Sequence, residues 1–113
     1  VLNNLKNTSG AEIVIPKMNS IFIKDLIKAI NSKIKIKIVG VRPGEKINEV
    51  LYSKDESNQV YETNDSFRIY PNYKTGFKKI GKKVNKHFEY VSNSIKYLNK
   101  QAVIKLIKKS KLL

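Results

Sequence analysis

The chain has 113 residues, 41% hydrophobic and 28% charged, with a formal net charge of +14, and this length predicts one domain over residues 1–113 with a thin core. It contains no cysteine and one histidine, which excludes disulfides, thiolate zinc sites and histidine-based metal centres. No apolar run approaches the ~20 residues of a membrane span, and the first residues do not resemble an export signal. The start at valine suggests a processed product or a piece of a longer protein.

The first third of the chain combines a strand pattern with a helix pattern. Residues 12–15 alternate weakly before Pro16, which predicts a short strand that ends at the proline. In residues 20–32 the apolar side chains recur at the spacing of one helical face. We therefore predict a helix there, with Ser20 as its N-cap.

The clearest strand pattern lies in residues 33–41 (KIKIKIVGV), where lysine and isoleucine alternate. The sequence Arg42-Pro43-Gly44-Glu45 then predicts a turn. We expect a short helix to begin near Pro43 or Gly44, because proline is favoured in a first helical turn and Glu45 there complements the helix dipole.

The second half is expected to contain two short strands, a long loop and a terminal helix. The strands are predicted at residues 60–63 and 67–70, where β-branched and aromatic residues gather. Residues 73–87 are rich in lysine and have no stable period, which predicts a mobile loop. Asn99 is the expected N-cap of the terminal helix, with Val103 in a hydrophobic staple.

The positive charge is concentrated at the C-terminal end. Residues 73–113 hold twelve lysines against Glu89, a net charge of +11. Lysine supplies 21 of the 23 basic residues, whereas base readout and phosphate forks favour arginine. We interpret the segment as a solvated lysine-rich surface that binds no nucleic acid. The alternative is a small basic module that binds RNA, DNA or an anionic surface.

One motif carries a chemical argument, namely the strand, turn and helix predicted over residues 34–51. Arg42 at the mouth of the turn can bind phosphate oxygens through two guanidinium nitrogens, and Pro43-Gly44 lets the backbone approach a ligand. Glu45 can accept hydrogen bonds from a pair of ribose hydroxyls. The pattern is therefore consistent with a binding site for a nucleoside diphosphate. The other interpretation is an ordinary tight turn with a surface ion pair.

The sequence resembles a bacterial enzyme family over almost its whole length. Residues 39–57 (VGVRPGEKINEVLYSKDES) are similar to the RPGEK motif and acidic loop of CapD-like polysaccharide-biosynthesis enzymes, the nucleotide-sugar 4,6-dehydratases and 4-epimerases. Residues 14–30 are similar to the family's VPK and DLA segment, and residues 90–98 to its terminal segment. The chain departs from the family at Asn48, where histidine is usual, and at Tyr97, where tryptophan is usual.

The resemblance implies a fold and a binding site. The fold would be an α/β fragment, the small substrate-binding C-terminal subdomain of an extended short-chain dehydrogenase. It would mix short strands with two or three helices and lack the Rossmann core. In the binding turn, Arg42 would hold the diphosphate of a UDP-sugar and Glu45 the uridine ribose, with Pro43 and Gly44 between them.

The resemblance also implies what the rest of the enzyme supplies. A Rossmann core with NAD(P) and a catalytic Tyr/Lys pair would precede this segment, and the complete enzyme would be a homo-oligomer of the bacterial cytoplasm without membrane insertion. It would oxidise the sugar transiently at C4, as a dehydratase or an epimerase, for capsule, O-antigen or other surface polysaccharide. The five glycines of this chain are isolated, so we expect the segment alone to bind no cofactor or metal and to be inactive.

Overall fold

The computed structural model describes residues 8, 10–73, 76 and 78–110, which mix short strands and helices in two compact units. The sheet unit comprises Val1–Met18 and Val50–Val91, and the helix unit comprises Asn19–Glu49 and Ser92–Leu113. The mixed α and β content confirms the predicted class. No helix in the described ranges is long and apolar enough to cross a membrane.

The described part of the sheet unit contains six strands: β1 (Ile13–Pro16), β2 (Val50–Tyr52), β3 (Val60–Glu62), β4 (Ser66–Ile69), β5 (Lys82–Lys83) and β6 (Tyr90–Val91). Four of them form an antiparallel sheet in the order β1-β4-β3-β5, and β2 pairs with β6 in a second, two-stranded sheet. The central strand β4 is buried along its whole length.

These strands confirm most of the sequence predictions for this unit. The strand before Pro16 and the pair joined by Asn64-Asp65 are present, each within one residue or two of the expected bounds. The polar segment between β2 and β3 forms a 3₁₀ helix, Asp55–Gln59. Within the segment expected as a loop, Lys82–Lys83 form β5, whereas Lys74, Thr75 and Phe77 of that segment lie outside the described residues.

An aromatic cluster fills the core of the sheet unit. The Tyr52 and Phe67 rings meet edge to face with centroids 5.2 Å apart, and the Tyr90 ring lies 4.7 Å from that of Phe67. Burial raises the pKa of the Tyr52 phenol well above its ordinary range, with the nearby charge of Glu62 acting in the same direction. Such aromatic pairs add specific ring contacts to the free energy gained by burying apolar surface.

A buried ion pair crosses the sheet unit beside this core. The Arg68 guanidinium Nη1 lies 3.5 Å from the Glu12 carboxylate Oε1, and the two side chains are 4% and 0% exposed. Removing one partner of a buried ion pair is strongly destabilising, so the pair is expected to contribute to the stability of the sheet unit.

The helix unit contains α1 (Ile23–Ile30) and α2 (Lys100–Lys109), which pack against each other. Asn99 caps α2 as predicted, since its side chain accepts a hydrogen bond of 2.9 Å from the Ala102 backbone N–H. The prediction that Ser20 caps α1 is wrong, because the N-cap is Phe22 and makes no side-chain cap.

Two predictions between the helices are also wrong. Residues 33–41 form no strand, because no other described segment pairs with their backbone, and all nine are exposed. Residues 43–49 form a turn and bends rather than a helix, and Val50 and Leu51, which the predicted helix included, lie in strand β2. The alternating isoleucines are a strand pattern without a partner strand, and pairing is a tertiary interaction that periodicity cannot supply.

Candidate functional site

The predicted turn Arg42-Pro43-Gly44-Glu45 is present in the helix unit, and two hydrogen bonds between Arg42 and Glu45 close it. The Glu45 backbone N–H donates to the Arg42 carbonyl at 3.0 Å, which is the hydrogen bond of a β-turn. In the other direction, the Arg42 backbone N–H donates to the Glu45 carboxylate Oε2 at 3.0 Å. The two bonds fix the spacing of the residues that flank the turn.

Proline and glycine give the turn its shape. Pro43 supplies the fixed φ of the first central position, and Gly44 has φ +82°, a left-handed value that favours glycine. A β-turn with proline and a positive-φ glycine at its centre matches the pattern of a type II turn. Among the described residues, apart from Gly44 and its two chain neighbours, no heavy atom lies within 4 Å of the position that a Cβ would take. A ligand can therefore approach the backbone here.

Arg42 stands at this turn with its side chain exposed. Within the described residues, no carboxylate lies within ion-pair distance of its guanidinium. Glu45 uses one carboxylate oxygen for the backbone of Arg42, and a carboxylate has capacity for further donors. The turn thus presents the Arg42 guanidinium, the Glu45 carboxylate and the exposed backbone at Gly44 on one short loop.

The segment after the turn is held in place by Ser92. The Glu49 backbone N–H donates to the Ser92 Oγ at 3.0 Å, and the Ser92 backbone N–H donates to the Glu49 carbonyl at 2.9 Å. Ser20 donates its own hydroxyl to the Ser92 carbonyl at 2.6 Å. Three elements distant in sequence therefore meet at one serine, which positions the end of the turn segment.

A cleft of about 350 Å³ opens between these elements in the helix unit. The Phe22 and Tyr97 rings stack in parallel at its wall, with centroids 4.1 Å apart and planes 8° apart. Asn48 lines the same cleft. The structure thus brings together the two positions, Asn48 and Tyr97, at which the sequence departs from the family pattern.

Sequence reasoning located the turn and missed the cleft. Phe22 and Ser92 gave no periodic signal, since Phe22 precedes the helical face and Ser92 lies in a polar stretch. The separation of residues 22 and 97 in the chain hides their stacking. The one signal available was the run Tyr90–Ser94, which the family resemblance already included.

The described residues do not fit a dinucleotide cofactor. Such a cofactor needs a glycine-rich loop between a strand and a helix N-terminus. Here α1 follows Phe22 and α2 follows Asn99, and no described glycine lies within ten residues of either start. No cluster of metal-binding side chains is present in the part of the chain that the structure describes.

Comparison with known proteins places the turn inside a recognised region. Residues 1–71 match the model of a family described as polysaccharide biosynthesis protein. Two proteins named UDP-N-acetylglucosamine 4,6-dehydratase (inverting), from two strains of Campylobacter jejuni, are 40% and 39% identical to this chain over 74 residues, which is 66% of the chain and 22% of each relative.

Two further relatives match a larger share of the chain. An uncharacterized membrane protein of Methanocaldococcus jannaschii is 37% identical over 110 residues, covering 88% of this chain and 31% of that protein. The X-ray structure of Pen from Bacillus thuringiensis superposes with a TM-score of 0.79 at 30% identity, covering 99% of this chain and 35% of that one. The chain spans between 22% and 35% of the length of these relatives.

Proposed function

Since this chain belongs to the polysaccharide biosynthesis protein family, we propose that it is the UDP-sugar-binding segment of a nucleotide-sugar 4,6-dehydratase. The family match confirms the resemblance on which the sequence analysis relied. The observation that carries the proposal is the doubly closed turn of Arg42 and Glu45, because it presents phosphate-binding and hydroxyl-binding groups at a fixed spacing.

Arg42 is assigned to the diphosphate. Its guanidinium is exposed and free of an ion pair within the described residues, so binding a phosphate requires no internal pair to be broken. A bidentate, charge-assisted contact with phosphate oxygens is worth about 1.5–3 kcal/mol. Pro43 and Gly44 keep the adjoining backbone open to the ligand, as the empty space around Gly44 allows.

Glu45 is assigned to the uridine ribose and to the turn itself. One carboxylate oxygen accepts the Arg42 backbone N–H, and the carboxylate can also accept from ribose hydroxyls. The same side chain thus couples the positions of the two binding groups.

The segment would act within a larger enzyme and be inactive alone. Exposed apolar side chains crowd residues 34–47 of the helix unit, namely Ile34, Ile36, Ile38, Val39, Val41 and Ile47. So much exposed aliphatic surface is typical of a region that another domain covers. In this proposal the cover is the enzyme's Rossmann core, which also supplies NAD(P) and the catalytic Tyr/Lys pair, and the complete enzyme is a homo-oligomer. Because no described residues fit NAD(P), no redox step is assigned to this segment.

The names of the two Campylobacter jejuni relatives favour dehydratase over epimerase and favour UDP-N-acetylglucosamine as the substrate. In such a reaction, this segment's part is to bind and orient the nucleotide while the sugar faces the catalytic core. The chemistry of water elimination would lie with residues outside the chain.

Titration of UDP-N-acetylglucosamine into the complete enzyme that contains this segment tests the proposal. Replacing Arg42 with alanine should weaken binding at least about tenfold, and Arg42→Lys should fall between, because lysine keeps the charge and loses the bidentate geometry. Lys46→Ala is the matched control, since it removes a neighbouring exposed positive charge and should change affinity less than about twofold. Unchanged affinity in Arg42→Ala would remove the turn from the binding site.

A further inference from the structure

Five lysines of the sheet unit gather along one short segment at the edge of its main sheet. They are Lys78, Lys79, Lys82, Lys83 and Lys86, and all are exposed. Residues 78–88 contain no acidic residue. The strand β5 lies at the end of the order β1-β4-β3-β5, so the segment borders the sheet. We call residues 78–86 the lysine edge.

The lysine edge is held in a defined position. The Ile80 backbone N–H donates to the Tyr70 Oη at 2.9 Å, and the Val84 backbone N–H donates to the Val60 carbonyl at 3.2 Å. Gly81 between them packs directly on the backbone of Glu62, where a Cβ would clash with the carbonyl oxygen. These contacts fix the backbone that carries the lysines.

The lysines of this segment point to both faces of the sheet. Lys83 pairs across the sheet with Tyr61, and the Lys79 ammonium lies 5.3 Å from the centre of the Tyr61 ring, which places these two lysines together. Lys82 pairs with Glu62, and successive residues of a strand point to opposite faces. A surface that approaches the edge meets lysines from either face.

Nearby acids are already engaged by other lysines. The Glu62 carboxylate lies 2.7 Å from the Lys17 ammonium, and the Glu89 carboxylate lies 3.9 Å from that of Lys54. Glu62 also lies opposite Lys82 in the sheet, and one shared carboxylate leaves the five lysines with a net positive charge. Unlike the apolar surface of the helix unit, five solvated ammonium groups cannot be covered by another domain without acidic partners, because burying unpaired charge is costly.

We propose that the lysine edge binds the headgroups of an anionic lipid bilayer and so holds the enzyme at a membrane surface. Lysine is suited to this partner, since headgroup attraction depends on the number of charges near the surface and needs no planar fork. Ile80 lies among these lysines and Phe88 follows them, and both apolar side chains are partly exposed, as apolar contacts with a headgroup layer require.

Nucleic acid fits the same surface less well. The lysine edge contains no arginine, and Arg68 of the sheet unit is buried against Glu12. The Tyr61 ring is occupied, since Tyr70 packs edge to face on it at 5.6 Å and Lys79 covers it. Proteins that bind single-stranded nucleic acid use aromatic faces on which the bases stack. The Tyr61 ring does not offer such a face, because Tyr70 and Lys79 already pack on it.

Co-sedimentation of the complete enzyme that contains this segment, with and without vesicles, tests the proposal. The enzyme should bind vesicles of phosphatidylcholine with phosphatidylserine, should not bind phosphatidylcholine alone, and should release as salt rises. A variant with Lys78, Lys79, Lys82 and Lys83 replaced by glutamine should lose about fivefold in partitioning for each lysine removed.

The matched control replaces four lysines of α2 with glutamine, namely Lys100, Lys105, Lys108 and Lys109. It has the same net charge as the lysine-edge variant, and it should keep most of the vesicle binding. Circular dichroism of both variants establishes that each retains the fold. Equal loss in the two variants, equal binding to neutral vesicles, or no binding would overturn the proposal. Binding of single-stranded RNA at physiological salt that exceeds vesicle binding would overturn it in favour of nucleic acid.

Discussion

The sheet unit and the helix unit differ in how much of their surface each can bury. The sheet unit encloses an aromatic cluster and a buried ion pair, and its central strand is covered along its length. In the helix unit, the two buried hydrophobic residues among those described are Val103 and Ile107, and residues 31–47 are exposed throughout. The candidate binding turn lies in the unit with the smaller core. This difference shows that most of the buried core among the described residues belongs to the sheet unit, and it is what the proposed covering of the helix unit by another domain would produce.

Replacing an arginine with methionine should change the unfolding free energy far more in the sheet unit than in the helix unit, and this is the largest effect we expect. Arg68→Met removes one partner of the buried ion pair with Glu12 and should cost about 3–5 kcal/mol of unfolding free energy. Arg42→Met removes an exposed side chain and should change stability by less than about 0.5 kcal/mol. Chemical denaturation of both variants measures the contrast.

A double variant separates charge from packing in the sheet unit. Glu12→Leu combined with Arg68→Met removes both buried charges, and it should recover most of the stability lost in Arg68→Met. If the double variant were as unstable as the single one, the shape of the ion pair rather than its charge would matter at this site.

The next largest contrast concerns two glycines with positive φ. Gly44→Ala in the binding turn meets only the backbone strain of a left-handed alanine, about 1–2 kcal/mol, because nothing lies near its Cβ. Gly81→Ala adds a clash with the Glu62 carbonyl, and overpacking of this kind typically costs a further 1–3 kcal/mol or so. Thermal melts should therefore rank Gly81→Ala below Gly44→Ala, and equal melting temperatures would mean that β5 contributes little to the sheet unit.

The sequence predicted the locally determined elements of both units better than those that depend on distant partners, for a physical reason. The hairpin of β3 and β4 depends on local patterns and near neighbours, so periodicity and turn residues located it. The strand before Pro16 was located by its own pattern, although its partner β4 lies far along the chain. Residues 33–41 carry an equally clear pattern and form no strand, since a strand needs a partner that the described residues do not supply. The turn at Arg42 was predictable because proline and glycine act locally. The stacking of Phe22 on Tyr97 was not, because it joins distant parts of the chain.

Truncating one aliphatic side chain in each unit compares how much buried apolar side chains stabilise the two units, with smaller expected changes in unfolding free energy. Val60→Ala creates a cavity at a fully buried position of the sheet unit and should cost about 2 kcal/mol. Ile38→Ala removes a side chain that is 72% exposed and should stay within about 0.5 kcal/mol of the parent chain.

Size-exclusion chromatography adds a second measurement on this pair. We expect the parent chain to self-associate or to melt at low temperature, because the apolar surface of the helix unit is exposed. Ile38→Ala should shift the chain toward monomer, whereas Val60→Ala should not. A sharp melt from a clean monomer of the parent chain would contradict the view that the helix unit is incomplete.

The smallest expected effect is a pH dependence in the β3–β4 hairpin. The Thr63 and Ser66 hydroxyls donate to the Asp65 carboxylate at 2.9 and 3.0 Å, and these bonds lower the pKa of Asp65. A carboxyl whose folded pKa is depressed stabilises the fold above its unfolded pKa of about 3.9, and that contribution is lost as the pH falls toward the folded value. Asp65→Asn should therefore flatten part of the decline in melting temperature below about pH 4. Asp25→Asn, which removes the same charge from the helix unit, is the control, and an equal flattening in both variants would show that overall charge rather than this hairpin sets the slope.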